Sequence, residues 1–64
     1  MNNYYKLFDT ITGETIECSY RNVIIEEGHE RMAYYKELYN KEFYLHFVDS
    51  MTYELREYPI QKNS

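Results

Sequence analysis

Residues 3–9 alternate, with Tyr5 and Leu7 on one side and Tyr4, Lys6 and Phe8 on the other. A period of two is the pleat of a β-strand. Asp9-Thr10-Ile11-Thr12-Gly13 then reads as a turn. Asp closes an Asx-turn and Gly tolerates a positive φ. Residues 14–20 alternate again, which places Ile16, Cys18 and Tyr20 inward and Thr15, Glu17 and Ser19 outward. Two strands joined by a short Gly-containing loop predict a hairpin.

The period changes over residues 22–41. Ile24, Gly28, Tyr35 and Tyr39 gather in one arc of a helical wheel, widened by Ile25 and Met32 on one side and Leu38 on the other. Glu26, His29, Glu30, Lys36, Glu37 and Asn40 fall opposite. This predicts an amphipathic helix of about five turns. Asn22 is the expected N-cap, Glu26 and Glu27 lie near the positive end, and Lys41 lies at the negative end. Glycine inside a helix costs about 1 kcal/mol relative to alanine. Its place on the buried arc predicts a close approach of helix to sheet at Gly28. A rival reading continues Val23-Ile24-Ile25 as strand and starts the helix near Gly28. The long helix is preferred because the period persists across the glycine.

Alternation returns over 42–48, with Phe43, Leu45 and Phe47 inward and Tyr44, His46 and Val48 outward. Asp49 to Met51 form a turn. Residues 52–58 place Tyr53 and Leu55 inward and Thr52, Glu54, Arg56 and Tyr58 outward, until Pro59 ends the strand. The expected fold is therefore α+β: a ββαββ mini-domain over residues 1–60, one helix on one face of a four-stranded sheet, with a fraying polar tail at 61–64. The crossover rule sets strands 1 and 4 side by side and parallel in the centre, leaving 2 and 3 as edges. This order resembles the β-grasp of small immunoglobulin-binding domains. The resemblance is one of topology and implies no activity.

Composition narrows the function classes. Eleven acids face seven bases in 64 residues, a net charge of −4. Duplex DNA binding is disfavoured, because phosphate contacts need clustered Lys and Arg. No apolar stretch reaches the length of a membrane-spanning helix, and residues 1–5 do not read as a signal peptide. Cys18 is the single cysteine, so no internal disulfide is expected and a reducing cytoplasm fits. Asn, Lys, Tyr, Ile and Phe total 26 residues against seven for Gly, Ala, Pro and Arg, the bias of AT-rich coding sequence such as a low-GC bacterium or its phages.

The face turned away from the helix is the main candidate surface. It carries Tyr4, Phe8, Tyr44, Val48 and Tyr58, interspersed with Lys6, His46 and Arg56 and the acids Glu17 and Glu54. Tyr and Arg are enriched where proteins bind one another. Tyr4, Phe8, Tyr44, His46, Arg56 and Tyr58 are the expected partner-binding residues, with homodimerisation through this face as one outcome. The alternative reading is that cross-strand aromatic pairs stabilise a thin sheet.

The same face offers rings to unpaired bases, so a single-stranded nucleic-acid module is the runner-up, weakened by nearly cancelling charges. The edge strand 14–20 is open to strand addition, although Glu14 and Glu17 guard it. Glu26-x-x-His29 with Glu30 lies on a solvated helix face, and no metal site or cofactor is expected there. Glu26, Glu27, Glu30 and Glu37 make that face acidic, moderated by Arg31, Lys36 and Lys41. The expected function is a non-enzymatic factor, a phage or mobile-element accessory protein that inhibits or modulates a host protein.

Overall fold

In the computed structural model, which describes residues 4–59, the chain runs β1 (Tyr5–Asp9), β2 (Glu14–Cys18), α1 (Arg21–Tyr39), β3 (Phe43–Asp49) and β4 (Thr52–Glu57). The four strands form one sheet in the order β2-β1-β4-β3. The two hairpins are antiparallel, with Leu7 opposite Ile16 and Leu45 opposite Leu55. The central pair is parallel, from Lys6 opposite Thr52 to Asp9 opposite Leu55. The predicted ββαββ arrangement is present. The expected fraying of 61–64 lies outside the described residues.

Period-two patterning selects the face that meets the helix. Leu7, Tyr53 and Leu55 of the central strands are buried with Phe43 of β3 and Ile24 and Tyr35 of α1. Tyr5, Ile11, Ile16, Cys18, Ile25, Met32 and Leu45 pack around them, partly buried. Fully burying one Leu or Ile side chain contributes about 1.5–3 kcal/mol. Leu7, Ile24 and Leu55 are the fully buried apolar side chains that contribute on this scale.

The turns follow their local chemistry. Asp9 Oδ1 accepts the Ile11 and Thr12 N–H groups at 2.9 and 3.3 Å, an Asx-turn. Gly13 adopts φ +82, and its N–H donates to the Asp9 carbonyl at 2.7 Å. At the second hairpin Asp49 Oδ1 accepts the Met51 N–H at 2.9 Å. That backbone bond, with help from the Thr52 hydroxyl, holds the exposed Asp49 carboxyl below its usual range. A bulge between Phe47 and Asp49 absorbs one residue of β3.

The helix departs from expectation at both ends. Tyr20, not Asn22, is the N-cap, and it makes no side-chain capping bond. The start is set by a tertiary contact instead: Arg21 Nε donates to the Tyr53 hydroxyl at 2.7 Å. Tyr20, placed inward by alternation, is 66% exposed because β2 ends at Cys18 and the chain turns into the helix. Glu26 and Glu27 consequently lie beyond the first turn, which holds no acid. The helix stops at Tyr39, where Asn40 takes the left-handed conformation (φ 58) and its N–H donates to the Lys36 carbonyl at 2.8 Å.

Besides Tyr20, three further side chains assigned inward are exposed: Leu38, Tyr39 and Phe47. Leu38 lies at the margin of the buried arc. Tyr39 lies in the last turn, its ring 6.4 Å from that of Phe43, with one side left open. Phe47 is 56% exposed, because the polar start of the helix at Arg21 lies over this end of the sheet and leaves its ring only the edge of Tyr53, 5.3 Å away.

Gly28 is buried, as its place on the arc predicts. A Cβ there meets Leu45 Cδ2 at 2.8 Å, Cδ1 at 2.9 Å and Cγ at 3.3 Å. The missing methyl is what lets the helix settle on β3. Gly28→Ala is expected to lower stability by about 1 kcal/mol, since overpacking at Leu45 outweighs the helical preference of alanine. In a Leu45→Ala background the same change is expected to raise stability by about 1 kcal/mol. Urea unfolding of the four proteins measures the sign reversal, and equal effects in both backgrounds refute the close-approach explanation.

Candidate functional site

The outer sheet face is built by register. Phe8, Glu54 and His46 form one row across β1, β4 and β3, and Arg56 lies opposite Tyr44 in the next. Beyond β4 the ladder continues for one bond, from the Tyr58 N–H to the Glu42 carbonyl at 2.9 Å. This carries Tyr58 onto Tyr44, with ring centroids 4.7 Å apart and planes tilted by 38°. His46 stands edge-on to Tyr44 at 6.5 Å. Arg56 Nε is 3.8 Å from Glu54, a loose contact that leaves the guanidinium largely in solvent.

Tyr44, His46, Arg56 and Tyr58 thus form one cluster, and Phe8 adjoins it through Glu54. Tyr4 lies at the opposite end of the sheet, in a shallow depression with Lys6, Glu17 and the Asp49–Thr52 turn. The six expected residues share a face but form two groups. Tyr58 and Tyr4 are about half exposed, whereas Tyr44 is partly covered by its neighbours.

A second polar constellation lies inside. Asp9 is fully buried, and the Arg31 guanidinium meets a different carboxylate at each nitrogen: Asp9 at 2.7 Å, Glu14 at 3.0 Å and Glu27 at 2.9 Å. The Tyr35 hydroxyl also donates to Asp9 Oδ2. Both Asp9 oxygens therefore accept two bonds each. Arg31, assigned to the outer helix face, points inward for this reason. Residues 27 and 31 are one turn apart and stack on the same side of the helix.

The charges respond to one another. Burial pushes the Asp9 carboxyl up, but hydrogen bonds from Tyr35, Arg31, Ile11 and Thr12 outweigh it and hold the pKa below 3.8. The Glu27 hydrogen bond, with those of Asp9 and Glu14, raises the Arg31 pKa further above its usual value. Burial, and then donation to Asp9, pushes the Tyr35 hydroxyl up to about 12. Every oxygen of Asp9 is engaged and closed off from solvent, so the cluster acts as a tie between the β1–β2 turn and the helix.

Glu26, His29 and Glu30 are exposed on the helix. Among the described residues, no three His, Cys, Asp or Glu side chains come together as a metal site. Cys18 is partly buried against the core, and its sulfur accepts the Tyr20 N–H at 3.5 Å. No described helix is long and apolar enough to cross a membrane.

The interior cluster predicts the shape of the pH–stability curve. Asp9 is depressed in the fold, so its contribution is complete above the unfolded pKa of about 3.9 and disappears as pH falls through the folded value. Tyr35 is raised, so its contribution is complete below about 10 and is lost as pH rises through about 12. Asp9→Asn is expected to cost about 2–4 kcal/mol at neutral pH, because it leaves Arg31 short of one carboxylate and buries an imperfectly paired amide. It is also expected to flatten the acid limb. Denaturation midpoints from pH 2 to 7 for both proteins test this, and parallel acid limbs refute it.

Comparison of the chain with protein-family models, with curated proteins and with solved structures finds no match.

Proposed function

We propose that the chain is a non-enzymatic binding factor whose outer sheet face docks on another protein. The observation that carries this reading is the half-exposed Tyr58 ring stacked on Tyr44, with His46 and Arg56 beside it. The single helix covers the opposite face, so these rings meet solvent. Tyrosine and arginine offer large contact area at low entropic cost together with polar tips that retain hydrogen bonds when buried. The titratable groups with strongly altered environments, Asp9, Arg31 and Tyr35, engage one another beneath the surface, which favours binding over chemistry as the role of this chain.

The compositional bias toward AT-rich codons supports a phage or mobile-element accessory protein that inhibits or modulates a host protein. The docking face is nearly neutral, with Arg56 and Lys6 set against Glu54 and Glu17, so recognition rests on ring contact more than on long-range steering.

The test is a pull-down from host lysate with and without nuclease, using the native chain, Tyr44→Ala/Tyr58→Ala, and a Lys36→Ala control on the helix. The expected result is one stoichiometric protein that survives nuclease, is retained by the control and is lost by at least tenfold with the double variant, a loss of about 1.4 kcal/mol or more. Far-UV spectra check that the double variant remains folded. Capture that disappears with nuclease, and falls steeply with salt, assigns the face to single-stranded nucleic acid instead.

A further inference from the structure

We propose that the open edge of β3 pairs antiparallel with the same edge of a second copy of this chain, centred on Leu45. The pairing joins two four-stranded sheets into one of eight strands.

The direction of the backbone groups comes first. The Tyr58 N–H donates to the Glu42 carbonyl at 2.9 Å, in register with Phe43 opposite Glu57. In an antiparallel ladder, alternate residues exchange their bonds with the neighbouring strand. Glu42, Tyr44 and His46 therefore turn their backbone groups toward β4. Phe43, Leu45 and Phe47 turn theirs away from it, and among the described residues β3 is the last strand of the sheet. Three consecutive odd positions thus present N–H and C=O groups along one line.

The sequence on that line is complementary to itself. With Leu45 opposite Leu45 of the second copy, Phe43 meets Phe47 and Tyr44 meets His46. Beyond the pairs, Lys41 of each copy lies toward Asp49 of the other. The central odd pairs are those whose backbone groups point outward, so the same register satisfies the ladder and the side chains. Phe47 gains most: it is 56% exposed as a monomer, and Phe43 of the second copy lies beside it on the helix face. Lys41 and Asp49 are both exposed and of opposite sign; Lys41, which meets Glu57 of its own chain at 3.2 Å, gains a second carboxylate across the pair, so the ends of the strand pair attract.

The other edge lacks these properties. A self-pair of β2 brings Glu17 of both copies together with no cation within Glu14–Cys18 to offset them, since the Arg31 guanidinium, 3.0 Å from Glu14, is shared with Asp9 and Glu27. The assembly therefore closes as a dimer, with β2 at each outer end blocking further growth. A two-fold axis through such a pair stands perpendicular to the sheet. Both helices lie on one side and both Tyr44–Tyr58 stacks on the other, with His46 of one copy beside Tyr44 of the other.

Two measurements test the proposal. In sedimentation equilibrium, the native chain is expected to approach twice its own mass as concentration rises, and Phe47→Lys to remain at the mass of one chain. A lysine at this half-exposed edge position leaves the ladder to β4 intact. The second measurement reads register and does not depend on that variant. In a Cys18→Ala background, Tyr44→Cys and His46→Cys chains are mixed and mildly oxidised. Opposed residues of a non-hydrogen-bonded antiparallel pair have Cα atoms about 4.5 Å apart, inside the disulfide window.

The mixture is expected to give several-fold more covalent dimer than either variant alone. A native chain that stays monomeric, or equal crosslinking in mixed and unmixed samples, overturns the proposal. So does growth beyond a dimer. Dissociation by Tyr58→Ala with none by Phe47→Lys moves self-association to the outer face and overturns it as well. None of these outcomes depends on whether a foreign protein binds that face.

Discussion

A carboxylate removed from water remains charged only if hydrogen bonds and an opposite charge replace its hydration. Asp9 meets that condition with contributions from three parts of the chain: the Ile11 and Thr12 amides, the Arg31 guanidinium and the Tyr35 hydroxyl. Its position therefore fixes the first turn and the rotation of the helix together. If the helix turned about its axis, Arg31 and Tyr35 would leave Asp9, and Gly28 would no longer lie over Leu45. Apolar burial drives collapse without choosing among similar packings, whereas a fully engaged buried charge distinguishes one of them sharply.

The two faces of the sheet divide the work. The helix side holds Leu7, Tyr53 and Leu55 against Ile24 and Tyr35. The outer side, with nothing of the described chain over it, is surfaced by Tyr44, Tyr58, Phe8 and Tyr4 among charged residues. A chain of this length has little core, and cross-strand rings also stiffen the sheet that carries them. The same rings can therefore serve stability and contact, and the paired Tyr44 and Tyr58 separate the two roles by burial: Tyr44 is the more covered and Tyr58 the more open.

Strand and helix types were legible because both periods are clean. Leu7, Leu55, Ile24, Phe43 and Tyr53 follow directly from alternation and from the helical arc, and Gly28 on that arc indicates the close approach. Periodicity reads one element at a time, however, and the misplaced residues are those whose fate is decided by a neighbouring element. Asn22 has the right chemistry for a cap, yet Arg21 binds Tyr53 and the helix starts earlier. Phe47 alternates correctly, yet the helix presents a polar end above it. Arg31 falls outside the apolar arc, and only the spatial position of Asp9 brings it inward. The outer cluster was legible as a face, but its division into a Tyr44–Tyr58 group and a remote Tyr4 depends on the parallel register between β1 and β4.

That parallel register has a kinetic consequence. β4 is the last of the described strands and sits between β1 and β3, so Lys6 must wait for Thr52 before the sheet has a centre. On the ribosome, the first hairpin and the helix emerge with one central strand, β1, whose parallel partner β4 is still to come, and Asp9 lacks the Leu55 strand beside it. Long-range pairing of this kind puts loop-closure entropy ahead of the stabilising contacts and slows folding. The four-stranded sheet can therefore be completed only after β4 has been made, because β4 is the strand that joins the two hairpins.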